Sequence, residues 1–204
     1  MGKSIFFIGI PCSGKSTLVQ ELGKRHNLPT FCEGEENSWP PCVKERNLSG
    51  PFGASMWFRS LRVHNYAKAI DCAERGKTAL VDSYFDKFFH FILGREGMDW
   101  LIFPKDPYFQ ALLNISKIDF ERLPTPNTLV FIKHDYDLWY EMTTTRQRKL
   151  EEGFFNKTFF KMQKYLEEGV NRLREKNKTD IIYFTPNSLK KDFNVQTLSK
   201  LLNL

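Results

Sequence analysis

The 204-residue sequence contains no apolar run of about 18 residues, the length a membrane-crossing helix needs, and no apolar leader with a small-residue cleavage site. Neither a membrane-embedded nor an exported chain is expected. The four cysteines, Cys12, Cys32, Cys42 and Cys72, form no C-x-x-C pair and no zinc-type spacing. Reduced thiols and a cytoplasmic location are therefore expected. The four histidines show neither metal nor triad spacing. Met1-Gly2 lacks the Ser or Thr at position 6 that a myristoylation signal requires. No block of five or more Lys and Arg occurs, although the net charge is +6. Nucleic acid is thus not the expected partner, and the positive balance equally suits an anionic small substrate. There is no internal repeat and no low-complexity tract, so residues 1–204 read as a single domain. Phenylalanine, by contrast, is abundant, with 19 copies, and predicts an aromatic core.

One stretch organises what is present. Gly9-Ile10-Pro11-Cys12-Ser13-Gly14-Lys15-Ser16-Thr17 fits G-x-x-x-x-G-K-[ST], the phosphate-binding loop. The apolar run Ile5-Phe6-Phe7-Ile8 before it reads as a buried strand, and residues 15–26 after it as a helix. The glycines let the backbone curl until successive N–H groups converge on phosphate oxygens, above the positive end of the helix. Gly9, Pro11, Cys12, Ser13, Gly14, Lys15, Ser16 and Thr17 are the expected ATP-binding residues. Lys15 is expected on the β- and γ-phosphates and Ser16 on Mg²⁺.

Four further strands are expected at 30–32, 78–82, 128–133 and 180–184, each a short apolar run. Helices are expected at 54–75, 83–93, 107–115, 137–148, 157–176 and 193–202, with residues 37–53, rich in proline, read as a loop. Apolar strands alternating with helices predict an α/β chain with a five-stranded parallel sheet covered on both faces. Ligands then gather beyond the carboxyl ends of the strands. That edge collects residues 9–17, Glu33, Asp82 and the loop after Lys133. Asp82, at the end of an apolar strand on the phosphate side, is expected to hold Mg²⁺ together with Ser16.

Two P-loop chemistries are disfavoured. A GTPase needs D-x-x-G, and no Asp here has Gly three residues on; Asn177-Lys178-Thr179-Asp180 spells N-K-T-D but precedes its strand, at the wrong edge of the sheet. An adenylate-kinase-like enzyme would carry D-G-F-P-R after the third strand, where Asp82-Ser83-Tyr84 stands. The chain instead resembles the deoxynucleoside kinase and thymidylate kinase superfamily. Glu33-Gly34 with Trp39 stands where that group has E-P-x-x-x-W. The helix bearing Trp57, Phe58, Arg59 and Arg62 stands where the base is read, and Asp82-Ser83-Tyr84 where D/E-R-[SY] occurs. Arg146-Gln147-Arg148 followed by Glu151-Glu152 resembles the arginine lid, at approximately 146–156. Ser83 departs from the arginine of that motif, with Arg59 or Arg62 as a substitute charge.

The resemblance implies a kinase that moves the γ-phosphoryl group of ATP, with Mg²⁺, to a hydroxyl of a nucleoside-like acceptor. Lys15, Glu33, Asp82, Arg146 and Arg148 are then the catalytic candidates, with Glu33 as the base for the acceptor hydroxyl and the two arginines over the transferring group. Glu33, Trp39, Trp57, Phe58, Arg59 and Tyr84 are the acceptor-binding candidates, and a homodimer through the 54–75 helix is a further expectation of the resemblance. A thymidylate-type monophosphate kinase, a phosphotransferase for another alcohol, and a nucleotide-binding regulatory protein are the alternatives.

Overall fold

The computed structural model describes residues 2–146, 155–176, 179–186 and 191–204, without the side chains of 46–48, 145, 146, 191 and 193. Arg148, most of the 146–156 stretch and the Asn177-Lys178 half of N-K-T-D lie outside the described residues, as does the side chain of Arg146.

Five strands, β1 (Ser4–Ile8), β2 (Thr30–Phe31), β3 (Ala79–Val81), β4 (Thr128–Ile132) and β5 (Asp180–Phe184), form one parallel sheet in the order β2-β3-β1-β4-β5. β1 and β4 are buried at every residue. Alternation along them divides the interior in two. Phe6, Ile8, Leu129 and Phe131 face one layer; Ile5, Phe7, Val130 and Ile132 face the other.

The second layer packs on α1 (Lys15–His26) and α8 (Lys191–Leu202). The first packs on α3 (Arg46–Glu74), the 3₁₀ turn Asp86–Phe91, α4 (Phe109–Arg122) and α7 (Met162–Lys176). Helices therefore cover both faces, as expected of an α/β chain. The first layer holds most of the aromatic rings, with Tyr66, Tyr84 and Phe88 meeting edge-on beneath β1.

Four local readings change. Residues 37–53 are not an open loop: they hold part of the 3₁₀ turn Glu36–Ser38, α2 (Pro41–Lys44) and the start of α3. Their prolines begin helices instead of breaking them. Pro41 sits in the first turn of α2, and Pro51 restarts α3 after Gly50, which bends it at φ +64°. The stretch read as helix 83–93 coils as 3₁₀ over Asp86–Phe91, with Phe88 and Phe91 against Gly169 of α7. α4 runs on to Arg122, because its inner face carries polar groups with partners of their own: Ser116 donates to the Leu112 carbonyl and Asp119 accepts from Arg59. The single helix read over 157–176 is two, α6 (Lys157–Phe160) and α7.

α5 (Tyr136–Arg146) leaves the carboxyl end of β4 and runs beside the glycine loop. Met142 on α5 comes close enough that a Cβ at Gly14 would lie 3.5 Å from its Cε. No helix among the described residues is long and apolar enough to cross a membrane.

Candidate active site

The residues between β1 and α1 form the expected loop. Cys12 and Gly14 adopt left-handed backbone, at φ +62° and +81°. Left-handed residues within such a turn direct successive amides to one side, which makes an anion cradle. Gly9 has no room for a side chain, since a Cβ there would lie 2.8 Å from Ser13 Oγ and 3.0 Å from the Ile132 carbonyl. Lys15 Nζ donates to the Gly9 and Ile10 carbonyls, both at 2.9 Å, and to Ser13 Oγ at 3.2 Å.

β3 delivers Asp82 directly to the start of α1. Ser16 Oγ donates to Asp82 Oδ2 at 2.7 Å, and the Glu33 amide donates to Oδ1 at 3.2 Å. Asp82 is 3 % exposed. Burial, then the neighbouring Glu33 charge, pushes its carboxyl up to about 6, against the opposing effects of Ser16, the Glu33 amide and Lys15. A hydroxyl and a buried carboxylate form a hard oxygen pair of the kind that suits Mg²⁺. The same carboxylates, with burial foremost, push the Cys32 thiol up to about 12, so it is not a nucleophile near neutral pH.

Glu33 stands two residues past β2. Arg62, from α3, donates through Nη1 to Glu33 Oε1 at 3.0 Å. Its other edge grips Asp86 in a bidentate pair, Nε to Oδ2 at 2.7 Å and Nη2 to Oδ1 at 2.9 Å. Tyr66 completes the knot by donating to Asp86 Oδ2 at 2.8 Å. The guanidinium also lies over the rings of Phe58 and Phe85, at 5.5 and 5.6 Å. Arg62 is thus fixed in place and fixes one oxygen of Glu33 in turn.

Lys15, Ser16, Asp82, Glu33 and Arg62 line one cavity of about 620 Å³. Its wall joins Gly9 and loop residues 11–17 to Glu33, Trp39, Phe58, Arg62 and Phe89, with Asp82 and Ser83. Trp39 is held by its indole N–H on the Gly34 carbonyl and by edge-on contact with Phe58.

The structure does not bring every candidate there. Tyr84 is fully buried in the core, its hydroxyl donating to the Pro124 carbonyl. Arg59 turns away to a bidentate pair with Asp119 on α4, at 2.6 and 2.7 Å. Trp57 packs edge-on against Phe58 and is not part of the cavity wall. On α3 the cavity is lined by Ser55, Phe58 and Arg62, while Asp119 of α4 holds Arg59 and the ring cluster under β1 holds Tyr84. Arg146 ends α5, and its side chain and Arg148 lie outside the described residues.

Three partners were not singled out from the sequence. Asp86 follows Asp82 by four residues, and a second acid in so aromatic a run was its signal. His134 and Trp139 follow β4, at the edge already expected to collect ligands. Trp139 Nε1 donates to the Pro11 carbonyl at 2.8 Å, and His134 Nε2 lies 3.1 Å from the Ser13 carbonyl.

Solved structures share this fold. The chain is similar to deoxyadenosine kinase from M. mycoides, solved with the products dCMP and a flexible dCDP bound: 14 % identity over 98 % of each chain, TM-score 0.63. It is similar to thymidylate kinase from Candida albicans at 18 % identity, over 99 % of this chain and 91 % of that one, TM-score 0.59. The chain has the P-loop kinase fold. No family model matches the sequence, and no curated protein does.

Proposed function

We propose that this P-loop kinase fold is an ATP-dependent phosphotransferase acting on a hydroxyl of a nucleoside-like acceptor. The observation that carries the reading is the convergence of Lys15, Ser16, Asp82 and Glu33 on one cavity that is also lined by aromatic rings. Lys15 and the loop amides bind the donor phosphates. Ser16 and Asp82 fit Mg²⁺, which when bound would neutralise charge on the phosphate oxygens. Glu33 takes the proton from the acceptor hydroxyl as its oxygen bonds to the γ-phosphorus and the bond to the β–γ bridging oxygen breaks, releasing ADP. Arg62 holds Glu33 so that one carboxylate oxygen stays turned to the acceptor. Trp39, Phe58 and Phe89 offer ring faces and edges to a planar base. Arg146 and Arg148 are proposed to close over the transferring group. The four free thiols suit a cytoplasmic setting.

Charge favours a hydroxyl over a monophosphate as acceptor. Glu33, Glu35, Glu36 and Asp82 line the cavity, whereas Arg62, the arginine described in its wall, is already matched by Glu33 and Asp86. An acceptor bringing its own phosphate would meet repulsion there. The test is ADP release from Mg·ATP with three acceptor panels: nucleosides, nucleoside monophosphates and non-nucleoside alcohols. Nucleosides are expected to exceed monophosphates about 100-fold in kcat/KM, which is about 2.7 kcal/mol of discrimination. Preference for monophosphates, or ADP release indifferent to any acceptor, would overturn the reading.

A further inference from the structure

A loop whose amides point inward must turn its carbonyls outward, into the protein, where each needs a donor. The Gly9 and Ile10 carbonyls are served by the Lys15 ammonium. The Gly14 carbonyl accepts from the Leu18 amide, inside the helix ladder. The Pro11 and Ser13 carbonyls are served from outside, by Trp139 and His134 of the one segment that follows β4. Because a carbonyl only accepts, His134 must carry its hydrogen on Nε2.

These two donors differ from Lys15 in what loading does to them. The ammonium has to leave its carbonyls to reach phosphate oxygens, so its bonds are lost as ATP enters. The indole and imidazole need not move. Both are also fixed: Trp139 is fully buried, parallel to Phe159 at 5.9 Å and edge-on to Phe155 at 5.6 Å. His134 is 4 % exposed, and Gln163 of α7 clips its backbone, accepting from its amide at 2.8 Å and donating to its carbonyl at 2.9 Å. Neither side chain belongs to the wall of the cavity.

We infer that His134 and Trp139 are positioning residues for the phosphate-binding loop: they hold its Pro11 and Ser13 carbonyls outward and so keep the amides aimed at the donor phosphates when Lys15 lets go. This rests on the reading of the loop as an ATP site. Four variants test it through the dissociation constant for ATP and the KM values of the two substrates. Trp139→Phe keeps the ring and removes the N–H. His134→Leu removes the donor, His134→Gln places an amide N–H where Nε2 was, and Lys15→Met is the control for the loop itself.

Trp139→Phe and His134→Leu are each expected to weaken ATP about tenfold, the effect of one hydrogen bond to a buried carbonyl. KM for the acceptor is expected to stay within twofold, and His134→Gln to recover ATP affinity to within threefold of wild type. A general packing defect would give no such rescue and would affect both substrates. If His134→Leu fails to fold, the comparison of Trp139→Phe and His134→Gln with wild type still decides. Wild-type affinity in folded Trp139→Phe and His134→Leu would overturn the inference, as would equal loss in the Gln and Leu variants. Failure of the wild-type protein itself to bind ATP, with Lys15→Met no different, would overturn the phosphotransfer reading instead.

Discussion

Replacing Asp82 by Asn is expected to make the ligand-free protein more stable and to abolish phosphoryl transfer. In the folded chain the Asp82 carboxyl is pushed from 3.8 up to about 6, first by burial and then by Glu33. Below pH 3.8 the group is protonated in folded and unfolded chains alike and changes nothing. Between 4 and 6 the folded chain holds its proton more tightly than the unfolded one, so stability falls as pH rises through this window. Above 6 both states are ionised, and the full cost stands, on the order of 3 kcal/mol. Asn keeps the partners: its oxygen can accept from the Glu33 amide while its NH₂ donates to Ser16 Oγ. The melting temperature should therefore rise by about 5 °C at pH 7, given partial relaxation around the site. The difference between the two proteins should shrink as pH falls from 6 to 4. His90 and His134, both held below the usual imidazole range mainly by burial, cost stability as pH falls, but equally in both proteins. Transfer should drop at least 100-fold, since Asn offers no charge to a divalent cation. A variant less stable than wild type at pH 7, or a pH-independent difference, would show that Asp82 carries no such burden.

Glu33→Gln is expected to lower kcat for a nucleoside hydroxyl by 10²- to 10⁴-fold, the usual contribution of a positioned base. The KM for ATP should stay within about threefold. The distinction is clean because Gln retains the oxygen that Arg62 Nη1 grips at 3.0 Å, so the knot of Arg62, Asp86 and Tyr66 stays closed. Only the capacity to accept a proton is lost. A phosphate acceptor needs no such base, so slow transfer to a monophosphate should be indifferent to the substitution. A loss below tenfold with the hydroxyl acceptor, or equal losses with both acceptors, would remove Glu33 from that role. Glu33 is 28 % exposed at its side chain, which leaves it reachable by an acceptor entering the cavity.

The parts legible in the sequence are those where a single local rule decides. The glycine loop needs left-handed backbone and an absent side chain at fixed offsets, and Gly9 and Gly14 sit there. The strands β1 and β4 are buried on both faces and therefore read as unbroken apolar runs. Asp82 follows from the end of such a run. What was misread depends on which way a helix faces. Arg59 and Arg62 look interchangeable in sequence, and only the acids that meet them, Asp119 for one and Glu33 with Asp86 for the other, tell them apart. Tyr84 is next to a motif residue but alternates away from the cavity, into the ring cluster beneath Phe6. The proline-rich stretch 37–53 misleads because proline both breaks a helix and begins one, and only the Gly50 bend distinguishes the two. His134 and Trp139 stay hidden for another reason: they serve backbone carbonyls, and backbone acceptors leave no mark on composition.

The central claim is that phosphorus is passed from ATP to an alcohol oxygen in the cavity between Lys15 and Glu33. The most direct measurement is ³¹P NMR of the protein with Mg·ATP and a nucleoside mixture, repeated with Lys15→Met. The account predicts a new phosphomonoester singlet growing in step with ADP, and none with the Lys15 variant. ADP accompanied only by inorganic phosphate, or a phosphomonoester that grows equally with Lys15→Met, would contradict it.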